Sequence, residues 1–330
     1  MNRQWLLAGK PTGAAGVDHF RLIEAPDPVP EPGQALVRNL LLSVDPANRA
    51  WMQGKTYRGQ LLPGDLIPGF AIGEVVESTA SGLSRGDIVE GALGWQDYAV
   101  ITSADVTIRD RALPLEHLAG VLGITGLSAY FGMLEVARIR AGDTVVVSAA
   151  GGAVGSIASQ IAKINGCRVV GVAGGAEKCQ WLTDKLRLDA AVNYKAGNVF
   201  HDLKAACPAG IDAYFDNTGG DILGAALALM NAHGRIACCG NVSEYDLDQS
   251  ARTGPRGVPG LLVVKRVRME GFLVSDFFHL RSSAEKVLRD WIAAGRLMAP
   301  LHLVEGFDKT PQALIDLLAG INRGKVMVRI

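Results

Sequence analysis

Several building patterns are scarce or missing in this sequence, and each absence removes a class of protein. There are only five cysteines (Cys167, Cys179, Cys207, Cys238 and Cys239), an odd number with no C-x-x-C pair. That argues against a disulfide framework and for reduced, buried thiols in a cytoplasmic setting. The six histidines (His19, His117, His201, His233, His279 and His302) stand apart, with no H-x-x-x-H and no Cys/His cluster at zinc-ligand spacing. No metal is expected. No apolar run approaches the roughly 18 residues that a membrane span needs. The short apolar stretch in MNRQWLLAGKPTGA does not read as a signal peptide. Excess charge of either sign is also missing, since 33 Lys and Arg balance 33 Asp and Glu. No net field recruits nucleic acid or an acidic membrane surface. Internal repeats and low-complexity tracts are absent. A chain of 330 residues with ordinary globular composition remains, long enough for two domains.

What is present centres on the stretch Thr144 to Ser156, TVVVSAAGGAVGS. The β-branched run Val145-Val146-Val147 reads as a strand buried on both faces of a parallel sheet. Small residues follow, and then Val154 to Ala162 carries apolar residues at helical spacing. Strand, tight turn and helix form the layout that sets a pyrophosphate on a helix N-terminus. The turn reads A-x-G-x-x-G on Ala150, Gly152 and Gly155, with alanine at the first glycine of the dinucleotide fingerprint. A plain structural βα turn is the alternative.

Before this stretch, residues 1 to about 120 read as β-rich, with strands expected over Val37–Val44, Ala71–Ser78, Asp87–Gly91 and Trp95–Val100. Glycine punctuation between them suggests a small barrel or sandwich. A helical stretch over Gly126–Leu134 leads into the central strand. Further buried strands are expected over Arg168–Ala173, Ala190–Tyr194, Ala213–Asn217 and Gly234–Gly240, separated by helices. That alternation argues for a doubly wound parallel sheet. After a helix around Ala284–Ala294, the tail returns to strand character over Leu301–Glu305 and Lys325–Ile330 and is expected to rejoin the first domain.

In NAD-specific sites an acidic residue about 20 residues beyond the glycines bonds the ribose hydroxyls. Here that position falls near Ala173-Gly174-Gly175-Ala176, without a carboxylate, and Glu177 is followed at once by Lys178. A missing acid with a cation beside it suits a ribose phosphate, and the Tyr194 hydroxyl could serve the same anion. This favours NADPH, although Lys178 also fits a solvated lysine at a helix start and Tyr194 a half-buried core residue.

These features, with LSVDPANR (Leu42–Arg49), LGITGLSAY (Leu122–Tyr130), VAGGAEKC (Val172–Cys179), DNTGG (Asp216–Gly220), CGNVSEY (Cys239–Tyr245), RMEGF (Arg268–Phe272) and NRGK (Asn322–Lys325), run in order along nearly the whole chain. The chain resembles the zinc-independent medium-chain dehydrogenase/reductases, in the prostaglandin reductase (leukotriene hydroxydehydrogenase) branch. Plant double-bond reductases and bacterial NADPH-dependent curcumin reductases belong there, the last the most similar. The resemblance implies an α/β fold in which a Rossmann doubly wound parallel sheet (123–295) is inserted in a GroES-like β-rich catalytic domain (1–122 and 296–330), and a homodimer. It implies a cofactor set of Ala150, Gly152, Ala153, Val154, Gly155, Gly174, Lys178, Tyr194, Asn217, Cys239, Phe272, Leu273, Val274 and Asn322. Lys178 and Tyr194 would hold the ribose phosphate, and Phe272 to Val274 would line the nicotinamide. Ala47, Arg49 and Tyr245 would face the substrate, with Asp45 and Arg49 also candidates for a structural pair. Ser43-Val44-Asp45 and Phe70-Ala71-Ile72-Gly73-Glu74 stand where zinc-dependent relatives carry ligands. Departures include Ala47 in place of a common tyrosine, Asp246 in place of asparagine and a short Arg252–Pro259 loop.

The implied activity is NADPH-dependent reduction of the carbon–carbon double bond of α,β-unsaturated ketones and aldehydes. Hydride goes to the β-carbon, and charge gathers on the carbonyl oxygen. Tyr245 is the candidate donor to that oxygen, with the cofactor ribose hydroxyl as an alternative donor and a packing role as an alternative for Tyr245. A quinone reductase and a non-catalytic NADPH-binding sensor remain open as other functions.

Overall fold

The computed structural model describes residues 1–54, 56, 58–247 and 254–330. Arg252 and Thr253 of the short loop therefore lie outside the described residues. The chain forms two compact units: Met1–Gly123 with Leu301–Asn322 and Val326–Ile330, and Ile124–Pro300 with Arg323–Lys325.

The first unit begins with the antiparallel pair β1 (Asn2–Leu7) and β2 (Phe20–Ala25). Then come β3 (Ala35–Val44), α1 (Pro46–Gln53), β4 (Ala71–Ser78), β5 (Ile88–Gly91), β6 (Tyr98–Ile101), β7 (Val106–Arg109) and α2 (Leu115–Ala119). The second unit holds α3 (Ile124–Phe131), β8 (Thr144–Val147), α4 (Ala153–Ile164), β9 (Arg168–Ala173), α5 (Ala176–Asp184), β10 (Ala190–Asn193) and α6 (Val199–Ala206). It continues through β11 (Ile211–Asp216), α7 (Gly220–Leu229), β12 (Met230–Cys238), α8 (Val258–Lys265), β13 (Arg268–Gly271) and α9 (Arg281–Ala293). The tail forms β14 (Leu301–Glu305), α10 (Thr310–Leu318) and β15 (Lys325–Arg329).

In the first unit β3 is the organising strand. Its first half pairs with β6, its last residues pair antiparallel with β15 (Val326 opposite Val44), and β4 runs along its length. The sheet order is β14-β15-β3-β4-β5-β7. Leu7, Val37, Leu42, Ile67 and Trp95 form its core. The strand expected over 95–100 starts only at Tyr98, because the preceding residues are used elsewhere. The Trp95 carbonyl accepts from the Trp5 N–H (3.0 Å), and the Asp97 carboxylate accepts from both arms of the Arg3 guanidinium (2.9 Å each).

The second unit carries the six-stranded sheet β10-β9-β8-β11-β12-β13, with every pairing parallel. In chain order this runs third, second, first, fourth, fifth, sixth, the Rossmann doubly wound order. Val145, Val146 and Val147 of the central strand are wholly buried, as a strand covered by helices on both faces requires. The helix expected over 126–134 changes character partway. α3 ends at Phe131 and continues as a π turn over Gly132–Val136, closed by the Ala137 N–H on the Gly132 carbonyl (2.9 Å).

Alanine at the first fingerprint position has a packing partner. A Cβ on Gly171 of β9 would lie 2.9 Å from the Ala150 Cβ and 2.8–2.9 Å from Leu188 and Leu182 methyls. The glycine has in effect moved to the neighbouring strand. Gly171→Ala should therefore overpack this layer and cost about 1–3 kcal/mol, read as a lowered melting temperature in thermal unfolding. An unchanged melting temperature would show that the layer yields freely.

Candidate cofactor and substrate site

The sequence-predicted residues of the second unit gather on one edge of its sheet, at the carboxyl ends of all six strands. Ala150 to Gly155 follow β8, Gly174 and Lys178 follow β9, Tyr194 follows β10, and Asn217 follows β11. Cys239 and Tyr245 follow β12, and Phe272 to Val274 follow β13. The chain reverses direction of winding between β8 and β11, and ligands of open α/β sheets bind outside the carboxyl ends at such a switch point.

At the centre lies the fingerprint turn. Ala149 takes a left-handed backbone (φ 47°), and α4 begins at Gly152 with no side-chain cap, so its first-turn N–H groups are held by no side chain of the helix start. A Cβ on Gly155 would stand 2.3 Å from the Ala149 carbonyl oxygen, so only glycine lets the helix lie this close to the turn. The Lys178 stem crosses the turn as well, since a Cβ on Gly151 would meet its Cδ at 2.6 Å and its Cγ at 2.8 Å. The C-terminal segment docks here too. The Gly324 N–H donates to the Gly151 carbonyl (2.9 Å), and Arg323 pairs with Glu177 at 3.4 Å.

The result is a concentration of positive charge. Burial holds the Lys178 ammonium below its ordinary range, and the nearby cations Lys195 and Arg323 push it the same way. The Glu177 carboxylate is 92% exposed and reaches Arg323 only from the rim. Gly174 leaves room for its neighbours, because a Cβ there would meet Lys195 Cε at 2.9 Å and the Tyr194 hydroxyl at 3.2 Å. The Asn193 carboxamide oxygen accepts from the N–H groups of Gly175 (2.8 Å) and Lys195 (3.1 Å), tying these two loops together. An uncapped helix start beside three cations fits a dinucleotide that carries an additional phosphate on its ribose.

On the other side of β8, the buried Asp216 carboxylate organises the edge. Its Oδ1 accepts from the Tyr214 hydroxyl (2.8 Å), the N–H groups of Gly219 (2.9 Å) and Thr218 (3.0 Å), and the Ser148 hydroxyl (3.2 Å). Its carbonyl accepts from the N–H groups of Cys239 (2.8 Å) and Gly240 (3.1 Å). Desolvation and this carboxylate hold the Tyr214 phenol well above its ordinary range, so it remains a donor. Burial and the same carboxylate push Cys238 and Cys239 up to about 12, and both are thiols at neutral pH. Asn217 is held by Ser148, its N–H donating to the hydroxyl (2.8 Å) and its carboxamide to the carbonyl (2.7 Å).

An open depression of about 500 Å³ brings together Cys239, Gly240, Tyr245, Phe272 and Leu273. Tyr245 is half-buried, and its hydroxyl oxygen lies 3.5 Å from the Asn241 N–H. The remaining predicted residues belong to the first unit. Ala47 is half-buried on α1, whereas Arg49 is fully buried and donates to the Gly13 carbonyl. Asp45, at the start of α1, accepts from the Ser43 hydroxyl. Asn322 is buried immediately before the segment that docks on the turn.

Two family models match the chain: "N-terminal domain of oxidoreductase" over residues 3–108 and "Zinc-binding dehydrogenase" over residues 153–293. The NADPH-dependent curcumin reductase of Escherichia coli is 38% identical over 335 residues, covering 100% of this chain and 97% of its own length. The NADP(+)-dependent 2-alkenal reductase of Nicotiana tabacum is 41% identical, covering 92% and 89%. The chain belongs to the medium-chain dehydrogenase/reductase family. Among solved structures, CurA from Vibrio vulnificus in complex with NADPH superposes with a TM-score of 0.94 at 36% identity, covering 99% of this chain and 98% of that one.

One family model carries zinc in its description, yet among the described residues no group of three or more His, Cys, Asp or Glu could hold a metal ion. Three residues around Lys178 escaped sequence reasoning. Gly151, Lys195 and Arg323 all lie inside or beside quoted motifs, but only the folded chain brings their side chains or missing Cβ against Lys178. Gly151→Ala tests the crossing of the Lys178 stem. The flexible stem can yield, so the melting temperature should change little, while affinity for adenosine 2′,5′-bisphosphate in a calorimetric titration should fall about 3- to 10-fold, the scale of one weakened hydrogen bond. Unchanged affinity would place the anion elsewhere.

Proposed function

We propose that this chain reduces the carbon–carbon double bond of α,β-unsaturated ketones and aldehydes with NADPH, acting as a homodimer. The observation that carries the reading is full-length likeness to curcumin and alkenal reductases, together with a depression lined by both Tyr245 and Phe272. We read residues 124–300 as the NADP-binding domain and the β-rich unit as the catalytic domain. In this reading Lys178, Tyr194, Lys195 and Arg323 hold the ribose phosphate. The N–H groups of Ala153 and Val154 meet the pyrophosphate, and Asn217, Cys239, Phe272, Leu273, Val274 and Asn322 surround the rest of the cofactor. NADPH, when bound, supplies hydride to the β-carbon of the enone.

This chain's residues then manage the oxygen. Charge gathers there as the double bond is reduced, and the Tyr245 hydroxyl lowers the barrier by hydrogen-bonding that oxygen and passing it a proton directly or through water. Ala47, with only a methyl group, widens the substrate side. The full burial of Arg49 supports a structural role for its guanidinium more than a contact with substrate. A homodimer is consistent with the open sheet of the second unit, whose edge strand β13 pairs, among the described residues, with β12 alone.

The deciding experiment mixes purified protein and NADPH with enones, alkenals and quinones and follows cofactor absorbance. Consumption with an enone, yielding the saturated ketone, is expected. Consumption with quinones alone would overturn the proposal, and binding without turnover would point to a sensor. Tyr245→Phe should lower enone turnover about 10- to 100-fold with NADPH affinity nearly intact, and an unchanged rate would remove the donor role. Lys178→Ala should weaken NADPH binding about 10- to 100-fold, the loss of a charge-assisted contact, while affinity for NADH stays near that of the native protein.

A further inference from the structure

The Phe272 wall of the depression rests on a glycine far away in sequence. A Cβ on Gly132 would stand 2.5 Å from Phe215 Cε2, 3.0 Å from Phe215 Cζ and 2.7 Å from Phe272 Cζ. The two rings therefore meet over the bare Cα of a residue that opens a π turn, a local widening often found at functional sites. Phe272 packs edge-on to Phe215 (centroids 6.4 Å apart, 76°) and to Phe277 (6.3 Å, 70°). Phe277 in turn stacks on Phe131, the residue before Gly132 (5.0 Å, 15°).

These contacts decide which member would move if the seat were filled. Phe215 is 0% exposed within β11, between β8 and β12, and has no space to give. Phe277 is backed by Phe131, which is buried and braced by Tyr130 at 5.4 Å. Phe272 follows the end of β13, with Gly271 and Leu273 on either side exposed. A Cβ at position 132 therefore pushes the Phe272 ring, and the backbone that carries it, toward the depression.

We propose that Gly132 is a positioning residue for the reduction: its missing Cβ sets how deeply Phe272 seats against Phe215, and thereby where Phe272 and Leu273 stand in the depression that Tyr245 also lines. This rests on the enone-reductase reading above. Hydride transfer needs the reacting carbons aligned, and a displacement of about 1 Å can cost on the order of 100-fold in rate.

The test is Gly132→Ala in the full chain. With an enone and NADPH, kcat is expected to fall about 10- to 100-fold, while affinity for adenosine 2′,5′-bisphosphate, which does not reach this wall, stays within about twofold. The fluorescence of bound NADPH, which reports the surroundings of the nicotinamide, should shift relative to the native protein. Native kcat and fluorescence in a folded Gly132→Ala variant would overturn the proposal. If Gly132→Ala does not fold, Phe277→Leu removes the ring's backstop and should lower kcat with anion affinity retained. Native kcat in that variant would equally overturn it. Should the native protein reduce no enone, the enone-reductase reading fails, and the fluorescence shift alone decides the positioning role.

Discussion

A carboxylate removed from water must be satisfied by the protein around it, and the carboxyl edge of the second unit is arranged to satisfy Asp216. At 2% exposure it has no solvent to solvate its charge, and an unsatisfied group there would be costly. Five donors converge on its Oδ1, and its carbonyl takes two more. The loop after β11 and the loop after β12 are thus bound to the same residue. Asn217, Cys239 and Gly240 cannot drift independently of each other, and the depression that Tyr245 enters inherits its shape from that tie.

The opposite half of the edge gathers positive charge. Burial lowers the Lys178 ammonium, Lys195 and Arg323 stand near enough to lower it further, and the exposed Glu177 carboxylate pairs with Arg323. A surface pair of that kind contributes at most about 1 kcal/mol. Three cations gathered at one sheet edge suit an incoming phosphate. Glycines make the arrangement possible, since Gly151 and Gly174 clear the paths of the Lys178 stem and the Tyr194 and Lys195 side chains. Gly132 does the same for Phe272. In each case an absent Cβ specifies where another residue's functional atoms stand.

Much of this was legible in the residues. The β-branched run before AAGGAVGS could only be a buried strand, and its turn and helix follow from small residues and helical periodicity. The missing acid after β9 pointed to a phosphate-bearing cofactor, and the order of the motifs pointed to the family. The limits of the reading are also specific. The strand expected at Trp95 begins late, because Asp97 is drawn to Arg3, more than ninety positions away. The helix through Gly126–Leu134 widens into a π turn that periodicity does not reveal.

The sequence by itself determined the type and order of the elements around the turn, the absence of an acid beside the ribose and the family, because strand, turn and helix signals are local and motif order is linear. Tertiary structure alone decided the site's fine geometry. It set Gly171 against Ala150, brought Arg323 and Lys195 to Lys178, and seated Phe272 on Gly132, joining positions up to about 150 residues apart. Such pairings depend on the volume left when two segments pack, and no single segment encodes that volume.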